Sequence, residues 1–222
     1  MTTMVEPTIV APETEQEHGV LGVLKKHQTL LTRGSIALVA VAVGIWFYLE
    51  SGRRKELAAA EALDRARSAL ESGNVPVASA EFQKVAASYS GTEAGYQATL
   101  ALNEARLIQG QTQIAVDDLR VFVGRNPPAA HAGSGYSLLG TALENQGKFE
   151  EAAEAYAQAA ELAPETYRKV DAHLSRARAL RLAGKPEEAV TTLRAVVGGF
   201  SEEVPGVSEA RVRLAELTKG AM

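Results

Sequence analysis

Cysteine is missing from all 222 residues, which excludes disulfides, thiolate metal sites, cysteine nucleophiles and a lipidated-cysteine anchor. A chain without thiols is compatible with either redox environment, so compartment stays open. Aromatic residues make up only 5%, and β-branched runs are short outside residues 36–45, so extensive sheet is not expected. Charge of one sign is scarce too. Residues 51–222 carry 20 basic against 22 acidic side chains, which is not the electrostatic footprint of a nucleic-acid binder. Four histidines, His18, His27, His131 and His173, are scattered without metal-ligand spacing. Asp171, His173 and Ser175 lie two apart, and on a helix such residues point in different directions. Neither a phosphate-binding glycine loop nor a nucleophile elbow occurs. No enzyme activity, metal, cofactor, nucleic acid or small-molecule substrate is therefore expected.

What the chain does contain is 46% hydrophobic residues, rich in alanine, enough for a sizeable helical core, and a pattern repeated four times. Gly73, Gly110, Gly147 and Gly184 are each 37 residues apart. Five residues after each stands an alanine, Ala78, Ala115, Ala152 and Ala189. Nine after each stands a large apolar residue, Phe82, Leu119, Tyr156 and Leu193. The glycine suits the end of a first helix, where a left-handed backbone is needed. The alanine lets a second helix lie close, and the large residue one turn later fills the space between the two. A pair of short helices cannot bury that face alone and must stack on the next pair.

The third copy carries a resemblance. Gly140, Gly147, Phe149, Ala152, Tyr156, Ala159 and Pro164 resemble the tetratricopeptide repeat pattern in order and spacing, with Tyr136 where tryptophan is usual. The other copies depart from it: Asn103 replaces a small residue, and Val85, Phe122 and Val196 replace Ala159. The period exceeds the usual 34 by three, which points to longer turns such as GRNPPAAHAG at 124–133. The resemblance implies an all-α, right-handed α-α superhelix of about four helix pairs. The stretch 205–220 supplies a closing helix whose Glu209, Arg211, Arg213 and Glu216 give a polar end.

Three regions follow: residues 1–33 as a disordered and juxtamembrane segment, 34–50 as a transmembrane helix, and 51–222 as the repeat domain. Residues 1–18 mix Pro, Thr and Glu, with Glu13, Glu15 and Glu17 as a solvated patch. Residues 19–33 read either as an interfacial helix or as an extension of the span. The run GSIALVAVAVGIWFYL, 34–49, has no charge. Its eight Ile, Leu, Val and Phe residues favour insertion by roughly 2 to 5 kcal/mol, and Trp46 and Tyr48 stand where an aromatic belt would. The alternative is a buried helix of a soluble protein. No cleavage site follows the run, so the span is expected to remain. Lys25, Lys26 and Arg33 precede it, and Arg53, Arg54, Lys55, Arg65 and Arg67 follow it, a count that slightly favours a cytoplasmic C-terminal domain but is indecisive for a long domain.

Residues thirteen, ten, six and three before each glycine define the inner face that tetratricopeptide arrays use for binding. The candidate groove is Leu63, Arg67, Gln97, Leu100, Glu104, Ser137, Thr141, Leu174, Arg178 and Arg181, apolar at its first end and cationic at its last. The paired lysine and asparagine set with which chaperone-binding members grip a carboxylate is missing. Short tail, single span and alanine-rich array together are similar to the YfgM-type ancillary subunits of the Sec translocon. That resemblance implies a bacterial inner-membrane protein with a periplasmic repeat domain, whose partners are translocon subunits, a membrane-bound prolyl isomerase or exported chains. A structural scaffold for envelope assembly or division, and a cytoplasm-facing scaffold, are the alternative expectations.

Overall fold

In a computed structural model the described residues are 28–219, with the side chains of 28–31 and 34–37 not among them. The acidic patch and the Lys25–Lys26 segment lie outside the described residues. The chain divides into two compact units, Met1–Gly52 and Arg53–Met222.

All regular structure among the described residues is helical. Helix α1, Gln28–Glu71, runs without a break from the apolar stretch into the first repeat. There follow α2 (Val75–Ser88), α3 (Glu93–Ile108), α4 (Thr112–Gly124), α5 (Ala129–Asn145), α6 (Phe149–Leu162), α7 (Thr166–Leu182), α8 (Pro186–Gly199) and α9 (Val207–Lys219). Between Leu38 and Leu49 every large apolar side chain of α1 is exposed, from Ile45 at 55% to Leu38 at 71% among the aliphatic ones. Among the described residues no helix is long and apolar enough to cross a membrane.

The four corners are built identically. Gly73, Gly110, Gly147 and Gly184 have φ of 73 to 78°. At each, the glycine N–H donates to the carbonyl three residues back, and the next N–H donates five back, as in Gly147 to Glu144 and Lys148 to Leu143 at 2.9 and 3.0 Å. This paired-bond stop satisfies the last carbonyls of the first helix. Beyond it, Ala78, Ala115, Ala152 and Ala189 are fully buried, and Phe82, Leu119, Tyr156 and Leu193 are at most 1% exposed. Each of these large side chains contributes about 1.5–3 kcal/mol by burial.

The longer period does not come from longer turns. Turns are three or four residues throughout the four pairs, and α5 begins at Ala129, inside the stretch expected to be loop. The extra residues form another turn at the start of the first helices, which reach 16 or 17 residues in α3, α5 and α7. Packing enforces this despite poor helix formers: a Cβ on Gly135 would lie 2.9 Å from the Phe122 ring, and one on Gly133 3.3 Å from the Leu162 carbonyl carbon. The close approach of neighbouring helices outweighs the helix propensity lost at each glycine, about 1 kcal/mol. Three apolar clusters result among the described residues of the second unit, the smallest being Ala159, Ala160 and Ala172. Another joins Ala59, Leu63 and Ala66 of α1 to Phe82 and to Ala94, Ala98 and Leu102 of α3. The largest runs from α4 to α9, where Val207 and Ala210 close it.

Candidate functional site

The face made by the first helices carries a cleft of about 480 Å³ whose walls come from α3, α5 and α7. Leu100 and Glu104 stand on one side, Ser134, Ser137 and Leu138 form the middle, and Tyr167, Arg168 and Asp171 stand opposite. Three of the expected groove residues, Leu100, Glu104 and Ser137, are thus brought together. Toward the C-terminal end a second cleft, about 410 Å³, joins Arg178 and Arg181 to Arg213, Glu216 and Leu217 of α9.

The other expected residues divide. Arg67 donates from Nη2 to Gln97 Oε1 at 2.7 Å, and Gln97 donates in turn to Glu93 at 2.7 Å. Glu93 also meets His131 Nε2 at 2.8 Å, and the His131 ring stacks on Tyr96 at 5.1 Å. This chain ties α1, α3 and α5 along the inner face, and the bonds from His131 and then Gln97 hold the Glu93 carboxyl below the usual carboxylate range. Thr141 stands outside that series, its hydroxyl 3.1 Å from the Tyr156 hydroxyl.

Leu63 and Leu174 require correction: at 3% and 5% exposure both are core residues and offer the groove nothing. Leu63 packs in the first apolar cluster. Leu174 is covered by the turn into α9, where a Cβ on Gly206 would lie 3.1 Å from its Cδ1, and Arg213 donates to its carbonyl at 3.3 Å. The closing helix therefore takes the face that the register alone assigns to solvent.

Arg178 is held rather than free. Its Nε and Nη2 reach both Glu144 oxygens at 3.2 and 2.8 Å, a forked pair with planar complementarity. Tyr156 donates to the same carboxylate at 3.1 Å. Burial pushes the Tyr156 phenol above its ordinary value, and the bond to Glu144 raises that of Arg178, so both stay protonated through the physiological range. On the opposite side of α7, His173 sits near Phe200 at 6.3 Å with a buried Nδ1 that has no hydrogen bond. Burial, then Arg176, lowers its affinity for a proton. Among the described residues, no cluster of His, Asp and Glu side chains has the arrangement of a metal site.

Tyr167, Arg168 and Gly133 were not part of the expected groove. They lie fourteen to seventeen residues before their reference glycines, in the extra helical turn, beyond the thirteen-residue reach of the shorter frame.

The chain matches the tetratricopeptide repeat family over residues 63–130 and 137–207. Among solved structures, it is similar to the nearly identical TPR-like repeats of a candidate kinesin light chain from Podosopora anserina. The TM-score is 0.59 at 22% identity, covering 72% of this chain and 85% of that one. A thermophilic TPR protein of Thermus thermophilus gives a TM-score of 0.48 at 19% identity, covering 73% and 82%. The first likeness identifies the fold as a TPR-like superhelix. No curated protein matches the sequence.

Proposed function

This chain belongs to the tetratricopeptide repeat family, and we propose that it is a membrane-tethered adaptor that holds other polypeptides against the inner face of its repeats. The observation that carries the binding half is the 480 Å³ cleft assembled from three successive first helices. Clefts of that size, lined by a mixture of apolar and polar groups, suit one anchoring side chain of a partner. Tethering rests on the uncharged run 34–49 and on its exposed Leu, Val, Ile and Phe side chains around α1. Leaving such a surface in water is unfavourable, and lipid or the apolar helices of a membrane partner would cover it.

The similarity to YfgM-type subunits supports a finer reading. The repeat domain would face the periplasm beside the Sec translocon and engage translocon subunits, a membrane-bound prolyl isomerase or exported chains. A photoreactive residue at Ser137 tests it in native membranes: crosslinks to exported chains or translocon components are expected, and recovery of neither would sink the secretion role. The second reading, a cytoplasm-facing scaffold, follows from Arg53, Arg54 and Lys55 after the run. Because the chain has no cysteine, one introduced at exposed Gln158 reports topology directly. Labelling by an impermeant reagent in spheroplasts supports the periplasmic reading, and protection supports the cytoplasmic one. A pull-down dominated by one stoichiometric envelope protein would instead favour an assembly or division scaffold.

A further inference from the structure

We infer that the middle cleft selects a basic segment, one large apolar side chain flanked by lysine or arginine; this rests on the groove reading above and names the chemistry of its partner. The floor is made of small or apolar groups, Gly133, Leu138, Ala159, Ala163 and Ala172, with Leu100 and the 44%-exposed Tyr167 as walls. Such a floor accepts an aliphatic or aromatic anchor by filling space, without asking it for hydrogen bonds.

Charge at the rim sets what flanks the anchor. Glu104 and Asp171 are both exposed on the cleft, and among the described residues neither has an ion pair or hydrogen bond. The cation of the cleft, Arg168, is already engaged: Nε lies 3.2 Å from Glu165 and 3.1 Å from the Tyr167 hydroxyl, and Nη1 lies 3.3 Å from Ser134 Oγ. The unspent charge at the mouth is therefore negative. An acidic flank would meet two uncompensated carboxylates, whereas a basic flank would complement them. The C-terminal cleft offers the same segment no net attraction: Arg178 is paired with Glu144 and Arg213 with Glu209, and its remaining charges, Arg181 and Glu216, are opposite in sign.

Three dye-labelled twelve-residue peptides test this against the full chain in non-ionic detergent, read by fluorescence anisotropy over a detergent-only baseline. Each has a central Leu-Phe pair, flanked by lysines, glutamates or serines. The lysine-flanked peptide should bind at least about tenfold tighter than the glutamate-flanked one, with the gap shrinking as salt rises. Glu104→Gln and Asp171→Asn, both at exposed positions, should each weaken it about two- to fivefold, as exposed charge pairs do, and leave the serine-flanked peptide unchanged. Equal binding of the lysine and glutamate peptides, no response to either substitution, or no binding of any peptide overturns the inference. Ser137→Trp, which fills the cleft, separates this from failure of the groove reading. If it abolishes binding of peptides that show no charge preference, the groove survives and the selectivity does not. If folded Ser137→Trp protein, checked by circular dichroism, binds all three as before, the groove reading itself fails.

Discussion

The second and third helix pairs share one corner and differ in what lies between their helices. Both corners have a left-handed glycine at φ 73° with the same two backbone bonds. Seven residues before that glycine, the third pair has Gly140, and its missing side chain is filled by the Tyr156 ring. A Cβ there would lie 2.7–2.8 Å from three ring carbons. The second pair has Asn103 at the equivalent place, fully buried, opposite Leu119 in the register. Asn103 donates to the Thr99 carbonyl at 2.9 Å and accepts from Arg106 at 3.3 Å, and Arg106 in turn pairs with Asp118 of α4. One hairpin is closed by shape, the other by a polar wedge. Beside the wedge opens the most voluminous of the clefts described here, about 580 Å³, between α2 and α4. The corner is thus a local device that tolerates either filling. How tightly the pair closes depends on side chains that meet only after the corner has formed.

Breaking the shape-filled pair should have the largest effect. Tyr156→Ala should lower unfolding free energy by about 3–5 kcal/mol, measured by urea denaturation of the full chain in detergent. Gly140→Ala alone should lose about 1–3 kcal/mol by overpacking. Combined with Tyr156→Leu, which installs the Ala177/Leu193 pairing of the fourth copy, the coupling energy should exceed about 1 kcal/mol. Strict additivity would show that ring and glycine are independent. In the polar pair, Arg106→Leu leaves Asn103 Oδ1 without its donor and should cost about 1–3 kcal/mol. The half-exposed Asp118 adds little to that figure. Adding Asn103→Ala and Asp118→Ala should recover much of the loss, since an apolar replacement of a buried polar set is often neutral; no recovery would mean the wedge contributes more than satisfied bonds.

Smaller still are the corners themselves. Gly110→Ala and Gly147→Ala should each cost about 1–2 kcal/mol, equal within error because the turns match, and a large inequality would show that the hairpin interior strains its corner. The least effect concerns pH. Tyr156 is raised above its ordinary value near 10 by burial, so the folded state holds the proton more tightly than the unfolded state does. Its contribution is fully present below about pH 10 and is lost as pH rises through the folded value. Tyr156→Phe should flatten the decline in stability above about pH 10, and an unchanged slope would place the dependence on another group.

Much of this architecture was legible in the sequence because its determinants are local or strictly periodic. A glycine followed at fixed intervals by an alanine and a large apolar residue specifies a helix stop, a close approach and a filler. All twelve such residues occupy those roles. The position of the added turn was not legible. GRNPPAAHAG reads as loop from its glycines and prolines, yet α5 begins at Ala129 because Phe122, Val123 and Leu162 press against glycine backbone. The equivalent added turn at the start of α7 brings Tyr167 and Arg168 to the cleft, so the part of the candidate site missed by register follows from the same lengthening of the first helices.

The sequence by itself determined where the chain reverses and which residues lie between paired helices, since backbone conformation at glycine and the helical period act within a few residues. Only the tertiary structure decided which inner-face residues reach solvent: Leu100 lines a cleft, whereas Leu174, at the same register position, lies beneath the approach to α9. A side chain's exposure depends on what distant segments bring over it, and no spacing along one helix records that.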